Sequence, residues 1–92
     1  MANHTSAVKR ARQTLNRTAR NTARLNRVRT SLRAFRRAVA SGADVARIRE
    51  AWQAATRELQ KAASRGVMHR RTVARRVSRL ALALNKATAA NG

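Results

Sequence analysis

Arginine side chains recur at helical spacing through the first third of this 92-residue chain. On a helix with 100° per residue, five of them fall within a sector of about 100°. This row consists of Arg10, Arg17, Arg20, Arg24 and Arg27. No acid lies nearby to pair with them, and like charges at this spacing destabilise an isolated helix. Because guanidinium groups offer a planar donor fork that suits phosphate, we interpret the row as a phosphate-binding surface rather than a solvated charged face.

A second basic cluster lies near the C-terminus, beside a seam of apolar residues. It consists of Arg65, His69, Arg70, Arg71, Arg75, Arg76 and Arg79. Two basic surfaces on one small protein predict contact with two segments of a nucleic acid. The only aromatic residues, Phe35 and Trp52, fall in the apolar register and are expected in the core. The sequence therefore indicates recognition of backbone and shape more than of bases.

The charge of the chain is strongly unbalanced. It has 22 Lys and Arg against 3 Asp and Glu, a formal net charge of +19. Segments 1–37 and 65–92 contain no acid, and all three acids lie in the nearly neutral segment 38–64. The expected partner is a polyanion that carries phosphates, with nucleic acid first and an anionic membrane surface second.

Few residues are available for other chemistry. There is no Cys, and only two His and three acids could serve as catalytic groups or metal ligands. His69 has no partner at ligand spacing, so we expect a contact with RNA or a role in a turn. We therefore expect no enzyme activity, no cofactor, no metal and no small-molecule substrate.

Targeting and membrane segments are not expected. No window is apolar enough for a membrane span, and no apolar stretch near the N-terminus is typical of a secretory signal. The N-terminal 30 residues are rich in Arg, Ser and Thr, as mitochondrial transit peptides are. The same basic character returns near the C-terminus, so we assign this stretch to the mature protein.

The elements that position the basic residues are predicted to be helices. Leu, Ile, Val and Phe are scarce, which is typical of disordered chains. However, the chain has no Pro and is rich in Ala, Arg and Leu, which favour helices. The only internal glycines, Gly42 and Gly66, predict helix ends. We predict helices near 6–40, 44–64 and 70–87, with Asp44 as one N-cap and Thr5 or Ser6 as another.

Apolar residues in each predicted helix recur in alternating steps of three and four, which places them on one face. The faces consist of Leu25, Val28, Leu32, Phe35 and Val39; of Val45, Ile48, Trp52, Ala55, Leu59 and Ala62; and of Val73, Val77, Leu80 and Leu84. Val67 and Met68 would cover the end near the second turn. The predicted fold is all-α: an antiparallel three-helix bundle whose long N-terminal helix projects beyond it. We predict one domain over 1–92, with a basic arm at 1–24, the bundle at 25–87 and a tail at 88–92.

Two stretches also resemble a known family. The first is Met1-Ala2-Asn3, followed by Ser6-Ala7-Val8-Lys9-Arg10 and Arg12-Gln13. The second is Arg65-Gly66-Val67-Met68-His69-Arg70, followed by Ala74-Arg75 and Ser78-Arg79-Leu80. In this order and spacing they resemble the bacterial small-subunit ribosomal protein family conventionally numbered twenty, and the resemblance covers nearly the whole chain.

The resemblance implies a structural component of the small subunit in the cytoplasmic ribosome. It implies a monomer there that binds small-subunit (16S) ribosomal RNA directly and aids its early assembly. Transferred by position, the implied RNA contacts are Ser6, Lys9, Arg10, Arg12, Gln13, Arg17, His69, Arg70, Arg75, Ser78 and Arg79. The two basic clusters add Arg20, Arg24, Arg27, Arg71 and Arg76 as candidate contacts.

Two other functions remain open from the residues alone. A nucleoid-type architectural DNA-binding protein would be favoured by a dimerisation seam or a wedge for the minor groove, and neither is evident. A membrane-active cationic peptide would need a broad apolar face opposite the arginine row. Residues 7–24 offer mainly Ala, Thr and Asn there. We therefore expect an RNA partner and no membrane partner.

Overall fold

A computed structural model describes the backbone of residues 2–91 and the side chains of residues 5–89. The ends of the predicted arm and tail, Met1 and Gly92, lie outside the described residues. Three helices account for most of the described chain: α1 is Ala2–Ala40, α2 is Val45–Ser64 and α3 is Arg70–Asn91. Residues 2–91 contain no strand, so the prediction of an all-α fold is confirmed.

Both turns between helices have glycine where the backbone becomes left-handed. Gly42 has a φ of 69° and Gly66 a φ of 71°, a region that costs other residues energy because of their Cβ atom. After Gly42, the Ala43 N–H donates to the Ala38 carbonyl at 3.1 Å, and the corresponding bond after Gly66 joins Val67 to Ala62 at 2.9 Å. These are Schellman helix ends, as the two glycines predict.

The predicted cap of α2 is confirmed. Asp44 is in the extended region, and its Oδ1 accepts a hydrogen bond from the Arg47 N–H at 2.8 Å. One of the unpaired N–H groups of the first turn is thereby satisfied. The predicted cap of α1 is wrong, because α1 begins at Ala2 and Thr5 and Ser6 lie inside the helix.

The C-terminal end of α3 lies further along the chain than predicted. The helix runs to Asn91 rather than ending near 87, so most of the predicted tail continues it. The Thr88 hydroxyl is satisfied within the helix itself, because its Oγ1 donates to the Leu84 carbonyl at 2.9 Å. Ala87 is buried at 9% exposure, so this last stretch adds to the core.

The core is thin and is centred on α2. This helix packs against both α1 and α3 and runs antiparallel to each of them. Phe35, Ile48 and Leu59 are its largest fully buried side chains. The predicted apolar faces supply most of the core, which consists of Val28, Leu32, Phe35, Ile48, Ala55, Leu59, Ala62, Val73, Leu80 and Ala87. Trp52 is partly buried against it, as expected of a core residue. Val67 and Met68 also pack against the core, at the predicted end.

Three members of the predicted faces do not join the core: Leu25 and Val45 are only partly buried and lie outside the core cluster, and Val39 is exposed. Val39 is 36% exposed, and Ala38 lies against the core instead. Val39 lies in the last turn of α1, where the chain is already leaving the bundle for the Gly42 turn. The spacing of three and four residues identifies which face of the helix is buried. It does not show how far along the helix the neighbouring helix continues to cover that face.

The N-terminal half of α1 extends past the other helices. Every side chain from Thr5 to Arg20 is exposed, and partial burial begins at Asn21. α1 has 39 residues against 20 in α2, and the molecule measures 68 × 23 × 14 Å. The predicted projection beyond the bundle is therefore present, and it carries the first basic row away from the core.

Candidate nucleic-acid interface

The projecting part of α1 presents its candidate contacts to solvent on every side. The exposed candidates on α1 are Ser6, Lys9, Arg10, Arg12, Gln13, Arg17, Arg20 and Arg27. Local bonds hold parts of this surface: the Thr14 Oγ1 donates to the Arg10 carbonyl at 2.9 Å, and the Arg20 Nε donates to the Asn16 carbonyl at 3.4 Å. A long, charged helix of this kind can contact the RNA backbone over several nucleotides.

The arginine row meets the bundle at the turn between α2 and α3. Two adjacent hollows lie at this junction, and Arg24 and Arg65 line both of them. The outer hollow is completed by Arg17, Arg20, Asn21 and Gly66, and the inner by Arg27, Glu58, Lys61 and Ala62. The fold therefore places Arg65 opposite the row on α1. The sequence had grouped Arg65 with the C-terminal cluster instead.

Arg24 is the one member of the row that is partly buried. Burial lowers the pKa of its guanidinium, and the charges of Arg65, Arg27 and Arg20 lower that pKa further. The Glu58 carboxylate acts in the opposite direction and raises the Arg24 pKa. Arg24 keeps its charge at neutral pH, since the ordinary pKa of arginine is far above 7. The junction therefore holds positive charge that its single acid compensates only in part.

His69 has a structural role at the start of α3. Its Nδ1 accepts a hydrogen bond from the Arg71 N–H at 3.1 Å, in the manner of an N-cap. Its ring is exposed, so the Nε2 remains accessible. The turn role that the sequence allowed for His69 is present, and its contact with RNA stays a prediction.

The remaining C-terminal candidates are all exposed on α3. They are Arg70, Arg71, Arg75, Arg76, Ser78 and Arg79. Arg76 and Arg79 also border a groove between α1 and α3, opposite Arg36. The floor of this groove is apolar and includes Leu32 and Leu80.

Five polar residues that line the two hollows and the groove were not among the predicted contacts: Asn21, Arg36, Glu58, Lys61 and Arg65. Asn21 and Arg36 lie on α1 outside the arginine row as it was defined, and Arg65 ends α2. Helical spacing relates residues of one helix only, so it could not show that these side chains meet groups on another helix. The turn at Gly42 is the sequence signal that bears on this contact, because it returns α2 along α1.

None of the described helices is both long enough and apolar enough to cross a membrane. Among the same residues, no three His, Cys, Asp or Glu side chains lie together as a metal site requires.

Comparison with known proteins identifies the family. The sequence profile of the family described as ribosomal protein S20 matches residues 2–85. The chain belongs to the ribosomal protein S20 family. The family consists of structural proteins of the ribosome, and this chain is accordingly not an enzyme.

Individual relatives agree over almost the full length of the chain. The small ribosomal subunit protein bS20 of Desulfovibrio desulfuricans is 49% identical over 85 residues, which cover 92% of this chain and 94% of the relative. That of Phenylobacterium zucineum is 50% identical over 90 residues, covering 98% and 100%. That of Rhizobium leguminosarum bv. trifolii is 53% identical over 81 residues, covering 88% and 87%. The resemblance seen in the two sequence motifs is therefore confirmed.

Proposed function

We propose that this chain binds small-subunit (16S) ribosomal RNA directly, as a monomer in the small ribosomal subunit, and aids the early assembly of that subunit. The proposal rests on membership of the ribosomal protein S20 family. It rests equally on one observation: the chain has 19 net positive charges, and they are concentrated on a projecting helix and on α3. A partner that carries many phosphates would neutralise these surfaces.

Two RNA segments fit this distribution better than one. The row on α1 centres on Arg17–Arg24. Arg76 and Arg79 of α3 instead lie beside Arg36, which is further along α1. Twelve residues separate Arg24 from Arg36, which corresponds to about 18 Å along α1. The two surfaces therefore lie at separate places on the molecule, one at the junction of α1 with the α2–α3 turn and the other between α1 and α3, and each is open to its own part of the folded RNA. We propose that the protein holds two segments of the folded RNA at a fixed distance.

The exposure of the side chains suggests different roles for the two parts of the chain. We propose that residues 1–24 act as a basic RNA-binding arm, and that the helices over residues 25–87 form the bundle that orients it. The side chains of residues 5–20 bury nothing against the bundle, so their charge serves a partner and not the fold. The last residues, predicted as a tail, extend α3 and are not assigned an RNA contact.

The arm is tested by removing three of its charges. The variant Arg10→Gln/Arg17→Gln/Arg20→Gln should bind a small-subunit RNA fragment at least a hundredfold more weakly, because each lost phosphate contact costs about a factor of five to ten. The matched control is Arg47→Gln/Arg49→Gln/Arg57→Gln, which removes the same charge from exposed positions on α2. Electrophoretic mobility shift at fixed salt measures both variants. Equal losses of affinity in the two variants would show that net charge alone drives binding. They would refute a specific RNA-binding role for residues 1–24.

The second surface is tested separately. Arg70→Glu/Arg75→Glu/Arg79→Glu reverses charge on α3 alone and should weaken RNA binding without abolishing it, because the arm remains. Backbone cleavage protection should disappear from one RNA segment and persist at the other. Unchanged affinity and unchanged protection would refute a role for α3.

Competition distinguishes RNA from DNA as the partner. Small-subunit RNA should displace the labelled complex at much lower concentration than duplex DNA of equal length at the same salt. If duplex DNA competes equally well, binding to ribosomal RNA is not specific, and an architectural DNA-binding role becomes the better account.

A further inference from the structure

We propose that the outer hollow between α1 and the α2–α3 turn binds a single phosphate group of the RNA backbone, held by Arg20, Arg24 and Arg65. This inference rests on the proposed RNA-binding function and adds a defined site to it. The site joins two parts of the chain that are far apart in sequence, because α1 supplies two of the guanidinium groups and the end of α2 supplies the third.

The two hollows at the junction differ in size and in charge. The outer hollow has a volume of about 440 Å³, whereas the inner one has only about 40 Å³. The lining of the outer hollow includes four arginines and no acid; the inner hollow contains Glu58. The outer hollow is the larger of the two, and because its lining has no acid it is the one that would attract an anion.

The polar groups around the outer hollow suit phosphate. The lining combines arginine forks from α1 and from the end of α2 with the Asn21 amide, and such groups can donate to several oxygens of one tetrahedral group. Glu58 lies on the far side of Arg24 and Arg65, in the inner hollow. From the inner hollow, the Glu58 carboxylate can orient the guanidinium groups of Arg24 and Arg65, which also line the outer hollow.

The charges that meet here are unfavourable until an anion arrives. Burial and three neighbouring arginines disfavour the charged form of Arg24, which the lowered pKa of its guanidinium records. An anion in the outer hollow would lie close to Arg24 and Arg65. Its negative charge would favour the charged form of Arg24 and offset the repulsion between the arginines. Phosphate should therefore stabilise the folded protein more than chloride does at equal ionic strength.

The first experiment tests the site without RNA. The full-length chain, Arg65→Gln and the control Arg57→Gln are melted in inorganic phosphate and in chloride of matched ionic strength. Arg57 is an exposed α2 arginine that does not line either hollow. In chloride at low salt, Arg65→Gln should melt about 1–4 °C higher than the parent, because like-charge repulsion is relieved. The additional stabilisation by phosphate should fall to less than half in Arg65→Gln and stay unchanged in Arg57→Gln. Equal phosphate stabilisation in the two variants would overturn the site.

The second experiment asks whether Arg24 and Arg65 hold the same phosphate of the RNA. Each single change to Gln should weaken RNA binding about tenfold. If both groups grip one phosphate, the double variant should lose clearly less than a hundredfold, because the second change removes part of an interaction already broken. A full hundredfold loss would assign the two arginines to separate phosphates and overturn the shared site. If the parent chain binds no ribosomal RNA at all, the proposed function fails, and the melting experiment still decides whether the hollow binds phosphate.

Discussion

Two buried polar atoms on α2 stand out among the described side chains. The Trp52 Nε1 and the Thr56 Oγ1 are both buried and have no hydrogen-bond partner. They lie four residues apart, on the same side of the helix. A buried donor without a partner costs about 1–3 kcal/mol, so these two atoms reduce the stability of an already thin core.

The cost at Thr56 can be measured directly. Thr56→Val keeps the shape of the side chain and removes the unpaired hydroxyl, and valine and threonine have similar helix propensities. We expect the free energy of unfolding to stay the same or to rise by up to about 1 kcal/mol, as measured by urea denaturation.

Leu59→Ala serves as the reference in the same assay, because Leu59 is fully buried. Its free energy of unfolding should fall by about 2–5 kcal/mol. A loss of more than about 1 kcal/mol in Thr56→Val would mean that the hydroxyl is satisfied and stabilising.

At the scale of the helix, α1 combines two segments with different sources of stability. Val28, Leu32 and Phe35 of its C-terminal part are buried in the core, whereas residues 5–20 have no tertiary contact that buries them. The outer segment depends on its own helix propensity and on its charges. Those charges repel, since arginines three and four residues apart share one face and no acid intervenes.

The outer segment of α1 should therefore respond to salt. In the free protein at low salt we expect fewer helical residues than in the structure, with the loss confined to the arm. Raising the salt to about 0.5 M shortens the range of repulsion and should increase the circular dichroism signal at 222 nm by about a tenth. Arg10→Gln/Arg17→Gln/Arg20→Gln should start at higher helicity and respond less. Full helicity of the parent at every salt concentration would contradict this prediction.

Much of the helical layout could be predicted from the sequence because its causes are local. Gly42 and Gly66 end helices for reasons of backbone geometry, and the steps of three and four identify the buried faces. Helix ends without such a signal were misplaced: α1 begins earlier and α3 ends later, because Ala and Thr continue a helix as readily as they end it. The opening of α1 offered Thr5 and Ser6 as caps, and both are helical residues instead.

The candidate interface was harder to predict than the helices. Most of its residues could be found because charge and spacing are visible along one helix. The position of Arg65 opposite Arg24 depends on how far α2 runs down α1 before the chain turns. Gly66 sets where α2 ends, but the position of α2 along α1 depends on how the two helices pack in the core, which a pattern within one helix does not contain.

At the scale of the molecule, the fold is a small bundle that carries a long charged rod. A core built from ten buried residues supports a body 68 Å in its longest dimension. The charge is not needed for that core, since none of the described buried residues is polar or charged. Folding and the proposed RNA binding therefore use largely separate residues, except at the junction around Arg24.

This separation predicts a strong dependence of RNA affinity on salt. If about eight phosphates are neutralised, a plot of log affinity against log salt concentration should have a slope of about −6 to −7. The affinity should then fall by about four orders of magnitude between 50 and 200 mM salt. Filter binding at several salt concentrations measures the slope. A slope near −2 would mean that most of the basic surface does not touch RNA.

The central claim is that one small protein holds two segments of small-subunit RNA at once. Hydroxyl-radical footprinting of the complex with the full-length small-subunit RNA tests it most directly. We predict two protected segments separated in the RNA sequence: one lost in Arg10→Gln/Arg17→Gln/Arg20→Gln, the other in Arg70→Glu/Arg75→Glu/Arg79→Glu. A single protected segment that both variants weaken equally would contradict the account.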